Sequence, residues 1–180
     1  IKGDGLLSGG GFNISSQALT LGADDVDANI SNATITGGTL ALVASSNSSD
    51  VVLTNVTVDP TFASTANVTL TLKDVTLNRD ISATAGAIVL EGTLTGNNVE
   101  IVDAVSVKSA AVSNVTLGAA TAITGGGAGT ASTFNSVRFA GGLSTQASND
   151  GIRVVLSNAV FPTGQSLTIS DANDVVELSN

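Results

Sequence analysis

The sequence predicts an all-β fold, a single β-solenoid whose stacked coils take about 22 residues each. Three observations carry this: a six-residue phrase that recurs along the chain, an inward and outward alternation around its centre, and a core composition poor in large rings. The 180 residues are 42% hydrophobic but only 3% aromatic, with no Cys, Met, Trp, Tyr or His. A globular core of this size recruits bulky aromatics. A coil two side chains across is filled instead by Val, Ile, Leu, Ala and Thr stacked on their own kind.

The phrase reads apolar, polar, Asn, Val or Ala, polar, apolar. It occurs as Ile30-Ser31-Asn32-Ala33-Thr34-Ile35, Leu53-Thr54-Asn55-Val56-Thr57-Val58, Leu72-Lys73-Asp74-Val75-Thr76-Leu77 and Val112-Ser113-Asn114-Val115-Thr116-Leu117. Two further copies centre on Ser136 and Asn158, a looser one surrounds Asn98, and Leu178-Ser179-Asn180 begins another. From Asn32 to Asn180 the centres step by 23, 19, 24, 16, 22, 22 and 22 residues. The 16-residue step at Asn98 is short for a coil, although the 40 residues from Asp74 to Asn114 fit two turns.

One place after the centre stand Ala33, Val56, Val75, Val99, Val115, Val137 and Ala159; three places after it stand Ile35, Val58, Leu77, Ile101, Leu117, Phe139 and Phe161. Both columns are expected to face inward. The position between them and the one before the centre are polar and face water, with Val160 the one misfit. Such alternation on either side of one short polar residue describes two strands meeting at a bend, because strand side chains alternate faces and Asn tolerates a left-handed backbone. Stacked bends put Asn32, Asn55, Asp74, Asn98, Asn114, Ser136, Asn158 and Asn180 in one structural ladder. With their side chains inside the tube, amides would hydrogen-bond from turn to turn.

The phrase, its spacing and its Asn line resemble the rungs of the pectate-lyase-like right-handed parallel β-helix superfamily. The resemblance covers about residues 30–180. It implies a right-handed coil of about seven to eight turns, a rod roughly 35 to 40 Å long. It implies little about activity, since lyases, hydrolases, tailspikes and surface proteins share that rung. In character the chain is closest to the non-catalytic rods of surface adhesins and secreted passengers.

Along the chain, no stretch of a dozen residues keeps a helical period. Residues 1–29 read as a less regular first coil, Ser45 to Asp50 as a polar turn, 118–132 as a Gly-rich loop insertion, and Ala140 to Gly151 as another turn. Neither terminus offers an amphipathic capping helix, so the open ends are expected to pair with flanking segments or with other copies of the protein. Ile1-Lys2-Gly3-Asp4-Gly5 carries no initiator Met and no cleavable apolar segment, which reads as a fragment or a processed chain.

The net charge is −9 at a pI near 4.1. That sign repels phosphate backbones, so no nucleic acid partner is expected. No apolar run is long enough for membrane insertion as a helix. A lightly charged surface of Ser, Thr, Asn and Gly points to an extracellular or cell-surface location, with host or matrix glycans as candidate ligands.

Without His or Cys, Ser/His and Cys/His relays have no parts. Outward Glu100 and Arg138 fall two turns apart, roughly 10 Å, too far for a lyase cluster. Asp59, Asp80, Glu91 and Asp103 are the carboxylates that a paired-acid hydrolase would draw on, but no Trp or Tyr stacks a sugar. No cofactor is expected apart from a loose calcium site at Asp24, Asp25, Asp27 and Asn29, or at Asp171, Asn173 and Asp174, whose oxygens alternate along the chain. Sequons begin at Asn13, Asn29, Asn32, Asn47, Asn55, Asn67 and Asn114; with the ladder turned inward, those at Asn32, Asn55 and Asn114 would be out of reach. The outward threonines lack the second Thr per turn that an ice-binding face needs. The expected function is a non-enzymatic structural or adhesive rod, acting as a spacer or, joined end to end, as a filament subunit. The alternative is a carbohydrate-binding or carbohydrate-cleaving β-helix.

Overall fold

The computed structural model describes residues 5–23, 26–44, 47–64, 67–82, 86–125, 130–147 and 151–179. Its strands are β1 (Gly5–Leu21), β2 (Ala28–Leu42), β3 (Ser49–Val58), β4 (Thr61–Ser64), β5 (Val68–Leu77), β6 (Ala87–Ile101), β7 (Val105–Leu117), β8 (Thr121–Gly125), β9 (Ala131–Asn135), β10 (Arg138–Phe139), β11 (Leu143–Thr145), β12 (Arg153–Ser157), β13 (Leu167–Thr168) and β14 (Val175–Ser179). All fourteen join one hydrogen-bonded network, and the pairings between them are parallel. No helix occurs among the described residues. The chain is a parallel β-solenoid of about seven turns.

Each coil has three sides. The arrangement is clearest at β7, whose start pairs with β8, whose middle pairs with β9 and whose end pairs with β10 of the next coil. Consecutive coils lie directly over one another: Ile30 pairs with Leu53, Leu53 with Leu72, Leu72 with Leu90 and Leu90 with Val107. Parallel strands buried on their inner face select β-branched and aliphatic residues, which is what these columns contain.

The corners explain the phrase. Along β3, Leu53 and Val56 are buried while Thr54 and Asn55 between them face outward, and β5 repeats the pattern with Leu72, Lys73, Asp74 and Val75. The bend between two sides inserts one extra outward residue in the left-handed conformation, and the apolar pattern slips by one there so that both sides still face inward. The φ values at Asn32, Asn55, Asp74, Asn98, Asn114, Ser136 and Asn158 are 51°, 54°, 55°, 55°, 55°, 56° and 52°. Asn180 lies outside the described residues.

These bends form two lines where the sequence suggested one. Asn32, Asn55 and Asp74 stack at the corner between the first and second sides, since Thr54 pairs with Lys73 and Val56 with Val75. The next coil meets Asp74 with Gly92 and Thr93, because Lys73 pairs with Glu91 and Val75 with Leu94. Asn98 therefore does not stack on Asp74. It lies at the corner between the second and third sides, where Ser15 of β1 and Gly37 of β2 also have positive φ, and is continued there by Asn114, Ser136 and Asn158. The short 16-residue step is a true coil, with Val99 paired to Val115. Both corners coexist in β6 and β7, as Gly92 with Asn98 and Ser109 with Asn114, all at positive φ.

The expected inward columns line the core: Ile35, Leu77, Ile101, Leu117 and Phe139 are 0% exposed. Ala159 and Phe161 are partly buried against it. Outward Val160 is 49% exposed. In the later coils aromatics replace aliphatics; Phe139 packs edge-on to Phe134 at 5.1 Å and stacks on Phe161 at 5.0 Å. The presumption of loops over 118–132 and 140–151 is corrected in part, because β8, the start of β9 and β11 lie within them. Asn149 and Asp150 of the second loop lie outside the described residues.

Gly96 sits under Leu77 in register, and a Cβ there would lie 2.3 Å from Val115 Cγ1 and 2.6 Å from the Asn114 carbonyl oxygen. We predict that Gly96→Ala destabilises by about 1–3 kcal/mol in chemical denaturation, as overpacking does. Gly11→Ala, with nothing within 4 Å, should change stability by about 0.5 kcal/mol or less.

Candidate functional site

The bend residues are surface features. All seven described members of the expected ladder are exposed, so the inward placement is corrected. The bend residue follows an outward-facing neighbour and precedes an inward-facing one, so it sits on the convex side of the corner and its side chain projects away from the axis. Asn55 Nδ2 donates to Asn32 Oδ1 at 2.8 Å across adjacent coils. At Asp74 the partner is backbone: Thr93 N–H donates to Asp74 Oδ1 at 2.9 Å. Asn158 Nδ2 reaches the neighbouring Asn135 Oδ1 at 3.4 Å. The seven sequon asparagines, including Asn32, Asn55 and Asn114, are all exposed.

The second corner borders a shallow cleft of about 270 Å³, lined by Asn98, Asn114, Ser136, Arg138 and Asn158 among others. Successive coils place its amide and hydroxyl groups about 4.8 Å apart along the rod. Arg138 is exposed beside Thr116 and Val160. Glu100 stands two coils from it, through Thr116. A neighbouring cleft of about 400 Å³ contains Asn78, Arg79, Asp80, Asn97 and Asn98.

The acidic residues join coils. Arg79 pairs with Asp59 at 3.3 Å, Lys108 with Glu91 at 3.6 Å, and Arg153 with Glu177 at 2.6 Å through a forked contact. Asp80 Oδ1 accepts from Glu100 N–H at 2.7 Å, and Asp174 Oδ1 from Ile152 N–H at 2.9 Å. Each contact spans neighbouring coils and satisfies a main-chain donor or a charge. Asp103 also has an interaction partner.

The calcium expectation divides between described and undescribed residues. Asp24 and Asp25 lie outside the described residues. Asp27 and Asn29 are exposed, and Asp27 Oδ1 accepts from Asp50 N–H of the next coil at 2.8 Å. At the other candidate, Asp171 Oδ1 caps its own turn through Asn173 N–H at 2.9 Å. No group of three or more His, Cys, Asp or Glu capable of holding a metal occurs among the described residues. The signal that sequence reading missed is the parity change at each bend, legible in the consecutive outward residues Thr54-Asn55 and Lys73-Asp74.

If the left-handed backbone is what position 55 serves, Asn55→Val should destabilise by about 1–2 kcal/mol more than Asn55→Gly, because Gly tolerates that conformation and a β-branched residue does not. Thermal and urea unfolding of the two variants measures the difference. No family model, curated protein or solved structure matches this chain, so its strand pairing alone assigns the fold.

Proposed function

We propose that this chain is a non-catalytic structural or adhesive rod of an extracellular or cell-surface protein, built on the right-handed, pectate-lyase-like plan. The observation that supports it most is the engagement of its acids. Asp59, Glu91 and Glu177 hold cations of adjacent coils, while Asp27, Asp74, Asp80 and Asp174 hold adjacent main-chain N–H groups. A catalytic carboxylate pair needs acids free to exchange protons with substrate, facing each other across a groove. Here the same groups stitch a stack together.

The ends supply the partner reading. The interior column of Val112, Phe134 and Leu156 continues to Leu178, which is 78% exposed. A further strand in register would cover it, whether from a flanking segment or a second copy, and would pair the free edge of β14. The alternative reading is a glycan-binding rod. It is favoured by the row of Asn98, Asn114, Ser136 and Asn158 beside Arg138, whose repeat follows the coil spacing.

Incubation with polyuronides and neutral polysaccharides should give neither reducing ends nor unsaturated-product absorbance above a no-protein control; clear turnover would overturn the rod reading. Light scattering and negative-stain microscopy should show linear species that lengthen with concentration. A monodisperse monomer at high concentration would refute self-assembly through the ends. Retention on a glycan array, lost in Arg138→Ala, would favour the alternative.

A further inference from the structure

The sequons play no part in the stack itself, and the coil treats them unequally. Their acceptor asparagines are all exposed, so exposure does not separate them. An N-linked acceptor is read together with the hydroxyl two places on. In two sequons stacking has already committed that hydroxyl: Ser31, two places after Asn29, donates to Ser8 Oγ at 3.0 Å, and Ser49, two places after Asn47, is buried and donates to the Val26 carbonyl. In two more the asparagines hold each other, because Asn55 Nδ2 donates to Asn32 Oδ1.

Asn13-Ile14-Ser15 is arranged differently. Ser15 takes a left-handed bend at φ 52°. Its main-chain N–H donates back to Asn13 Oδ1 at 2.8 Å, and its hydroxyl donates to the same oxygen at 3.3 Å. This is an Asx turn closed within three residues, so it needs no neighbouring coil to form. Both donors settle on the oxygen of the side-chain amide, which leaves its nitrogen with two unspent protons. Among the described residues Asn13 Nδ2 has no hydrogen-bond partner, and it belongs to an exposed side chain on β1, which pairs with β2 alone.

We propose that Asn13 is a site of N-linked glycosylation, taking an oligosaccharide from a lipid diphosphate donor. In the transfer Asn13 Nδ2 bonds to the anomeric carbon of the first sugar, and the bond from that carbon to the diphosphate oxygen breaks. The lipid diphosphate leaves with the electron pair, and the amide gives up one proton to a base of the transferase. Ser15 is a positioning residue: its two hydrogen bonds to Oδ1 fix the amide plane and turn Nδ2 to solvent. A glycan here projects from the first coil, clear of the interior columns and several coils from the cleft at Arg138. The inference rests on the extracellular reading above, since such donors are met on the way out of the cell.

Incubation of the folded chain with a purified oligosaccharyltransferase and a lipid-linked oligosaccharide, read by peptide mass, tests it. Asn13 should carry at least about tenfold more glycan than Asn29, Asn47 or Asn55. Asn13→Asp, which keeps the turn's acceptor oxygen and lacks the amide nitrogen, should abolish that transfer. Ser15→Thr keeps the hydroxyl, but a β-branched residue resists the left-handed bend, so it should lower transfer to Asn13. Asn32→Gly, tolerated at positive φ, should raise transfer to Asn55 by releasing its amide. Equal transfer to the four asparagines, or none to Asn13, would overturn the proposal, and higher transfer in Ser15→Thr would refute the role of the turn. The polysaccharide assay above reads the rod itself, so the two can fail separately.

Discussion

Everything in this fold depends on a parity constraint at the corners of the coil. Side chains of a strand alternate faces, and the bend adds one outward residue, so the apolar residues of two successive sides stay inward only because their spacing in the sequence slips by one at the corner. That residue must reverse the backbone within a single step, which places it at positive φ, where Asn, Asp, Ser and Gly are the residues available. Gly9, Asn32, Asn55, Asp74, Gly92 and Ser109 meet the requirement at one corner; Ser15, Gly37, Asn98, Asn114, Ser136 and Asn158 meet it at the other. Without those residues the columns that end in Ile35, Val58 and Leu77 would turn to water.

Once the corners are set, the stack is held mainly by continuous main-chain hydrogen bonding and by the aliphatic interior. The ion pairs along the outside contribute less. Arg79–Asp59, Lys108–Glu91 and Arg153–Glu177 are all partly exposed, and pairs of that kind add about 0–1 kcal/mol each. Their value is in registration, since each joins residues of neighbouring coils. Buried polar groups serve the same end: the Ser49 hydroxyl donates to the Val26 carbonyl, and Thr145 Oγ1 accepts from Ser170 N–H at 2.8 Å.

Much of the architecture was legible in the chain because its period is written in short, local phrases. Apolar residues one and three places after each centre identified the inner columns, and the αL tolerance of Asn identified the bends. Which corner a phrase occupies was not legible. Leu53–Val58 and Val112–Leu117 read alike, yet the first rounds the corner between sides one and two and the second the corner between sides two and three. The phrase encodes a turn, and only pairing with the next coil says which turn. The direction of the bend side chains was equally hidden, because an amide can satisfy itself inside or at the surface. β8 and β11 were read as loop because Thr121–Gly125 and Leu143–Thr145 are short and sit among Gly and Ala, and tertiary pairing overrides that local preference. The outer cleft at Arg138 drew residues from separate phrases, so spacing along the chain gave little sign of it.

The most direct test of the stacking uses the absence of cysteine. Thr76 pairs with Thr95 in adjacent coils, and in-register neighbours about 4.8 Å apart fall within the range a disulfide spans. Aligning the phrases alone would instead set Thr76 beside Glu100. Mild oxidation of the Thr76→Cys, Thr95→Cys variant should give rapid intramolecular crosslinking, read by gel mobility and peptide mass, while the Thr76→Cys, Glu100→Cys variant stays reduced. Crosslinking of the second pair and not the first would contradict the two-corner coil.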